Sequence, residues 1–390
     1  MSFDDIIDFR GQHSQKWDEM HELMGVAPED GLAMWVADMD FRPPEGMIET
    51  VKQVAANGVF TYFGDKSAYT DSICWWMRER HGWAVDPKAI LTTHGLVNAV
   101  AMAIEAFTAP GHGVVIFTPV YHAFARTIAA NDRAVVECPL AIADGVYQMD
   151  FDAWDAQMTG NEKMAILCSP HNPGGRVWTR AELQGMADFA RRHDLILISD
   201  EIHHDLVFPG QKHFAMPTVD AGIADRLITM TATSKTFNVA GMHCGNVIIE
   251  DAALRAAFAK RLRQLSISPN SMSMRMTPAL YTPEGAAWVD RLVAYLDANH
   301  RLFAEGINAT AGLRMMPMQG TYLAWVDFAG TGMAREEFAA RVAKDARIAA
   351  SPGPVFGLGG ENCLRFNIAL PRVRITDAVA RIQRAFGDLQ

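Results

Sequence analysis

The sequence predicts an α/β protein, with a large domain on a mostly parallel sheet and a smaller α+β domain beside it. Three observations carry this. From Ile90 onward, short apolar runs alternate with helix-like stretches, the βαβ pattern of a parallel sheet. The run Leu195-Ile196-Leu197-Ile198-Ser199 is nearly all apolar, as a strand buried on both faces is. The chain has 390 residues, enough for two or three domains' worth of core. We place the large domain at 48–275, and give 1–47 and 276–390 to the small one as an N-terminal arm plus a C-terminal part.

Composition is that of a folded chain, 49% hydrophobic and 21% charged, so disorder is not the default. The net charge of −10 gives no general attraction for nucleic acid or an anionic membrane. Met1-Ser2-Phe3-Asp4-Asp5 is acidic and lacks the apolar core of a signal peptide. No apolar run approaches the roughly 18 residues of a membrane span. Five cysteines are scattered with no CxxC, which fits free thiols in a reducing cytoplasm better than disulfides or zinc.

In order, the first 30 or so residues are polar and irregular. Met34 to Phe41, including Trp35 and Asp38, ends in Arg42-Pro43-Pro44 and reads as an extended arm. It either crosses the surface between domains or walls a ligand cleft. Helices are expected over Glu45–Asn57 and Thr70–Arg80, separated by the aromatic loop Val59-Phe60-Thr61-Tyr62-Phe63-Gly64. Ile90–Thr93 is a strand, and His94-Gly95-Leu96-Val97-Asn98 turns into the helix Ala99–Phe107. Glycine there lets backbone N–H groups approach an anion. Gly113–Phe117 is a buried strand, with Tyr121 just past its end; Ala134–Cys138 and Met164–Cys168 are further strands. Thr179 with Glu182 forms a capping box for a helix to about His193. Leu195–Ser199 then ends in Asp200, and Leu227–Met230 ends near Lys235. Val247–Ile249 closes the sheet, Ala252–Leu265 is a basic helix, and Ser266–Pro278 is Met-rich and reads as irregular. Helices at Gly285–Asn299 and Ala334–Ala346 flank the alternating strand Gly320–Asp327, and Cys363–Ala369 is a second such strand.

Asn172, Asp200 and Lys235 therefore follow three strand ends, where open α/β sheets place their ligands. A lysine there can be desolvated into a reactive amine. A carboxylate at a buried strand end needs a cation beside it, and Asp200 could find one in a protonated pyridine ring. Asn172 and His203 could donate to the ring's 3-oxygen, and Tyr121 could stack on the ring. Together these are the parts that pyridoxal phosphate requires. Each has a plainer reading: Asp200 as an ion-pair member, Asn172 as a turn residue before Pro173, His203 as a core histidine, Arg365 as a strand charge. The pair His203-His204 with Asp200 and Asp205 invites a metal, but no HExxH or Cys/His spacing supports one. Gly353 to Gly360 is glycine-rich but lacks a nucleotide-loop spacing.

The segments Ser169-Pro170-His171-Asn172-Pro173-Gly174-Gly175-Arg176-Val177-Trp178, Ile198 to Leu206 and Ser234-Lys235-Thr236-Phe237-Asn238 resemble fold-type I pyridoxal-phosphate enzymes of the aminotransferase class I/II superfamily. With Met34–Phe41, Arg80–Trp83 and Leu364–Arg372, they are most similar to the MalY/PatB-type cystathionine β-lyases, in order and over nearly the whole chain. The resemblance implies the aspartate aminotransferase fold and a cytoplasmic homodimer with its active site at the subunit interface. It implies that Lys235 bonds the cofactor aldehyde, Asp200 faces the pyridine nitrogen, and Asn172 and His203 contact the 3-oxygen. Tyr121 would stack on the ring; Gly95, Leu96, Val97, Thr233 and Ser234 would line the phosphate, which Tyr62 would reach from the other subunit. Arg365 would hold the substrate carboxylate, with Trp35 and Asp38 beside the substrate. Two departures touch the phosphate: Ala232 replaces a common serine, so Thr231 or Thr233 takes its place, and His243 stands where aminotransferases carry an arginine. Ser266–Pro278 and Gln319-Gly320 also depart from the subfamily, next to the substrate pocket. The implied reaction is α,β-elimination of an L-cysteine S-conjugate such as cystathionine to pyruvate, ammonia and a thiol. The alternatives are an aminotransferase, and a ligand-sensing protein that keeps the fold without the chemistry.

Overall fold

The structure is a computed structural model describing residues 2–268 and 270–389; Met1, Pro269 and Gln390 lie outside the described residues. Its centre is a seven-stranded sheet in the order Ile90–Thr93, Gly245–Ile248, Leu227–Thr231, Ile196–Asp200, Glu162–Cys168, Gly113–Ile116, Ala134–Glu137. The last five run parallel. Gly245–Ile248 runs antiparallel to both its neighbours. Each strand lies where the apolar runs place it, within a residue or two.

The all-apolar strand explains the layering. Successive residues point to opposite faces, so Leu197 packs with Leu183 and Met186 on one side while Ile198 packs with Val100 and Ile228 on the other. Both faces are covered by helices. Arg180–Arg192 starts at the expected capping box: Thr179 Oγ1 accepts from the Glu182 N–H at 3.2 Å, and Glu182 Oε2 accepts from the Thr179 N–H at 2.7 Å. Leu96–Phe107 starts at Gly95, whose φ of +80° is a left-handed conformation that favours glycine.

A second, antiparallel sheet comprises Arg314–Met315, Leu323–Asp327, Cys363–Asn367 and Ser351–Pro352, in that order. The helices Pro283–Asn308 and Arg372–Ala385 pack together beside it, and Phe303, Phe366, Ile375 and Ile382 are buried in the shared core. The arm bridges the two sheets. Leu32–Ala33 pairs in parallel with Ile348–Ala349. Asn238 then holds the arm from the other side, accepting from the Met39 N–H at 2.8 Å and donating to the Met39 and Phe41 carbonyls at 2.8 and 2.7 Å.

Three elements differ from the sequence reading. Ser266–Pro278 is not irregular throughout, because Ser271–Leu280 is a helix. Asn270 caps it, accepting from the Met272 N–H at 3.0 Å, and Met274, Met276 and Leu280 are buried where it packs on Glu45–Asn57 and Ser67–His81. Methionine and serine pattern a helix weakly, and Pro278 masks it; tertiary packing supplies what propensity does not. The helix expected at Gly285–Asn299 runs over Pro283–Asn308. The first 30 residues contain the short helices Gln15–Asp18 and Met20–Met24. Among the described residues, no helix is long and apolar enough to cross a membrane.

Candidate active site

Lys235 lies on the short helix Thr233–Thr236, which follows the strand Leu227–Thr231 directly. Its amine donates to the Ala37 carbonyl at 2.6 Å, across the cleft on the arm. Burial pulls the amine down to about 8; the carboxylates of Asp38 and Asp200 resist this, and the Arg365 charge reinforces it. Asp200 is the last residue of Ile196–Asp200 and is buried. Burial raises its carboxyl to about 7, with Glu201 adding to the rise. The Ile202 N–H bonded to it at 3.1 Å and the Lys235 and His204 charges pull the other way. This is a buried carboxylate short of a cation.

His203 is also buried, its Nδ1 has no hydrogen-bond partner, and its ring stands edge-on to Tyr322 with centroids 5.9 Å apart. Burial, followed by the Lys235 and Arg365 charges, holds it well below the usual histidine range. It is a neutral ring with a free nitrogen. Asn172 is buried in the turn after Glu162–Cys168, and its Oδ1 accepts from Arg365 Nη1 at 3.0 Å. That contact leaves the Asn172 amide N–H groups as the donors it can offer a ligand. Tyr121 is half-buried beyond Gly113–Ile116, with Arg365 and Asp200 among the charges that act on it.

Arg365 comes from Cys363–Asn367 in the second sheet, fully buried. It donates to the Trp35 carbonyl at 2.8 Å and to Ser351 Oγ at 3.2 Å, and its guanidinium lies 4.9 Å from the Phe356 ring centroid. Nε has no partner. Trp35 serves the site through its main chain, since its indole N–H is spent on the Lys16 carbonyl at 2.9 Å. Asp38 is half-buried, 3.4 Å from the Lys16 amine, and is the first counter-charge to Lys235.

At the other end, Gly95, Leu96 and Val97 open the helix Leu96–Phe107, whose first N–H groups have no partner within the helix. A Cβ built on Gly95 would meet only His243 Nδ1, at 3.7 Å. His243 therefore faces this helix start, as its position in the sequence suggests. Thr233 is buried and Ser234 half-buried on the turn that carries Lys235. Tyr62 is not brought to the site within one chain: it is 97% exposed, in a stretch without regular structure.

The residues present fit pyridoxal phosphate. A raised carboxyl awaits a protonated ring nitrogen, a neutral histidine and an amide face the same space, and a glycine-opened helix start suits a phosphate. Sequence reasoning missed the main-chain half of the site. The Ala37 carbonyl takes both the Lys235 amine and the Tyr322 hydroxyl, the latter at 2.9 Å. Asn367 donates to the Val36 carbonyl at 2.7 Å and to that of Asp38. Gln319 accepts from the Val177 N–H at 3.0 Å and so ties the turn after Asn172 to the second sheet. Carbonyls leave no signature in a sequence; Asn238 and Asn367 do, each lying in a segment that carries the resemblance.

Comparison with known proteins bears on the family and the fold. The model of the family "aminotransferase class I and II" matches residues 31–382. The cystathionine beta-lyase PatB of Bacillus subtilis is 36% identical over 99% of this chain and all of its own length. Protein MalY of Escherichia coli is 32% identical over 98% of each chain. Cystalysin from Treponema denticola, whose crystal structure contains pyridoxal 5'-phosphate, superposes with a TM-score of 0.95 at 35% identity, over all of this chain and 99% of its own. Breadth of match and identity lead to one conclusion: the chain belongs to the aminotransferase class I and II family.

Proposed function

We propose that this protein is a pyridoxal-phosphate-dependent carbon–sulfur β-lyase that eliminates the sulfur substituent of L-cystathionine or a related L-cysteine S-conjugate. The observation that carries it is the pair Lys235 and Asp200: an amine lowered to about 8 and a carboxyl raised to about 7 on neighbouring strand ends. The likeness to PatB and to cystalysin supports it. Pyridoxal phosphate, when bound, takes the substrate amine and spreads the negative charge left at the α-carbon.

The chain does the rest. Arg365 grips the substrate carboxylate with Nε, the N–H that lacks a partner. Asn172, Trp35 and Ser351 hold the other guanidinium nitrogens in place. Lys235 Nζ takes the α-proton; near neutral pH a sizeable fraction of an amine with a pKa of about 8 is free to act as base. Ala37 O aims that amine across the cleft. Asp200 holds its charge against the ring nitrogen, and His203 offers a neutral nitrogen to the 3-oxygen. The β-carbon–sulfur bond then breaks, the electron pair leaves with sulfur as a thiolate, and the remaining three-carbon fragment becomes pyruvate and ammonia by reaction with water. We place the protein in the cytoplasm, in keeping with five free cysteines. We also propose a homodimer, in which exposed Phe60 and Tyr62 meet the second copy and Tyr62 reaches its phosphate.

Pyruvate release from L-cystathionine by cofactor-loaded protein, without added keto acid, tests the reading. Sustained release that disappears in Lys235→Ala is the expected result. No pyruvate, together with conversion of the cofactor to its amine form, would make the protein an aminotransferase. No reaction with any amino acid would leave a binding protein.

A further inference from the structure

Behind the site lies a buried cluster that the proposed reaction does not use. It is built from the residues that alternate with Asp200 and His203. Asp205 has no exposed side-chain surface. Its Oδ1 accepts from the Trp76 indole N–H at 3.0 Å and from His81 Nε2 at 2.9 Å. Its Oδ2 accepts from the Thr236 hydroxyl at 2.8 Å and has His204 Nε2 at 3.2 Å. His204 Nδ1 in turn donates to the Glu201 carbonyl at 2.5 Å. Glu201 is closed off in the same way, accepting from Ser199 Oγ at 2.8 Å, the Met216 N–H at 2.9 Å and His213 Nε2 at 2.9 Å.

A carboxylate has about four lone-pair directions, and protein donors occupy those on Asp205, the Trp76 N–H reaching Oδ2 as well at 3.2 Å. His81, His204 and Asp205 lie close enough together to hold a metal ion, but an ion would have to displace donors already in place. The contact with consequences is Thr236, the chain neighbour of Lys235. Through that hydroxyl the cluster grips the four-residue helix that carries the amine. Trp76, on the helix Ser67–His81, is held by the same carboxylate, and it stacks on Tyr281 and meets Phe237 edge-on. The two residues that follow Lys235 are thus pinned to one buried anion, Thr236 directly and Phe237 through Trp76.

We propose that Asp205 is a positioning residue for Lys235, acting through the Thr236 hydroxyl, with His204 and His81 completing the anchor. The groups facing it are His204 from its own loop, His81 from the Ser67–His81 helix and Tyr281 from the end of Ser271–Leu280, with Glu201 and His213 beyond the two histidines. The inference rests on the lysine role proposed above. A misplacement of an ångström in a reacting group costs on the order of a hundredfold in rate, so a tether on the lysine's own turn is a strong lever.

The test is Thr236→Val, which keeps the shape and removes the hydroxyl, with Thr236→Ser as the conservative control. Two readouts are taken on cofactor-loaded protein: steady-state pyruvate release, and the pH midpoint of the bound cofactor's visible band. We expect Thr236→Val to lower kcat about tenfold or more with little change in KM. The pH midpoint should rise by roughly half a unit or more as the turn relaxes toward water. Thr236→Ser should restore both. A Thr236→Val protein with the parent's kcat and midpoint overturns the proposal, as does a Thr236→Ser protein equally impaired. If Thr236→Val does not fold, Thr236→Ala carries the same comparison. Should the parent release no pyruvate, the lyase reading fails, but the spectral midpoint still decides the tether.

Discussion

Asp200 and Asp205 sit five residues apart, both fully buried, and their carboxyls shift in opposite directions. Burial raises Asp200 to about 7. Asp205 pays the same burial, yet the His204 and His81 partners hold it well below the usual carboxylate range. The difference is the supply of donors. Asp200 has one N–H and distant charges, whereas Asp205 has an indole, a hydroxyl and two imidazoles. His203 and His204 repeat the contrast: one has no carboxylate beside it and is held neutral, the other bonds the Glu201 carbonyl through Nδ1, lies 3.2 Å from the Asp205 carboxylate and is raised. Asp200 and His203, left short of partners, line the cleft, and the saturated Asp205 lies behind it. Polar groups buried without partners are costly, so a site that keeps several of them is one that a ligand completes.

The largest effects should separate the two aspartates by kind. Asp200→Ala is expected to lower kcat for pyruvate release on the order of a thousandfold, because the ring nitrogen loses its counter-charge. The cofactor-free protein should lose no stability, since an underpaired buried carboxylate has been removed. Asp205→Ala should cost roughly 3–5 kcal/mol of folding stability, by leaving the buried Trp76, His81 and Thr236 donors without their acceptor, with a smaller fall in kcat through the loosened Lys235 turn. Urea unfolding of both variants without cofactor checks the pair. Equal stability losses would erase the distinction drawn from their partners.

Linkage sharpens the same contrast. The Asp200 carboxyl is raised in the folded state, from 3.8 to about 7. Between those values the folded protein holds a proton that the unfolded chain has lost, so this group makes cofactor-free stability fall as pH rises from about 4 to 7. At about 1.4 kcal/mol per unit, the fall amounts to a few kcal/mol. Asp205 has a depressed folded value, so its contribution is present above its unfolded pKa and lost as pH falls through the folded one. Comparing the parent with Asp200→Asn isolates the first effect, since only the parent should show the extra slope. Adding pyridoxal phosphate should flatten it by supplying the missing cation.

How much of this was legible beforehand follows from the same physics. The seven-stranded sheet could be read because apolar runs and capping signals are local, as Thr179 and Glu182 show. The groups at the strand ends could be read because Asn172, Asp200 and Lys235 are chemically unusual at those places. The helix Ser271–Leu280 could not, because its burial comes from two distant helices. The fates of His203 and His204 could not be told apart either: they are adjacent in sequence, and only the fold decides which one lies beside the Asp205 carboxylate and which one meets Tyr322. Tyr62 marks the remaining boundary, since its expected role needs a second chain.

The smallest expected effect probes the site's outermost support. Ser351 Oγ lies 3.2 Å from Arg365 Nη2 and also donates to the Trp35 carbonyl at 2.8 Å, so it braces the guanidinium and the arm together. Arg365 keeps its Asn172 and Trp35 contacts without it. Ser351→Ala should therefore cost about one hydrogen bond, near 1 kcal/mol, seen as a roughly fivefold rise in KM with kcat little changed. Ser351 touches Arg365, which we propose holds the substrate carboxylate, and not the lysine. A fall in kcat at constant KM would mean that the arm carrying Ala37 had moved, and that Ser351 belongs with the positioning of Lys235 rather than with substrate binding.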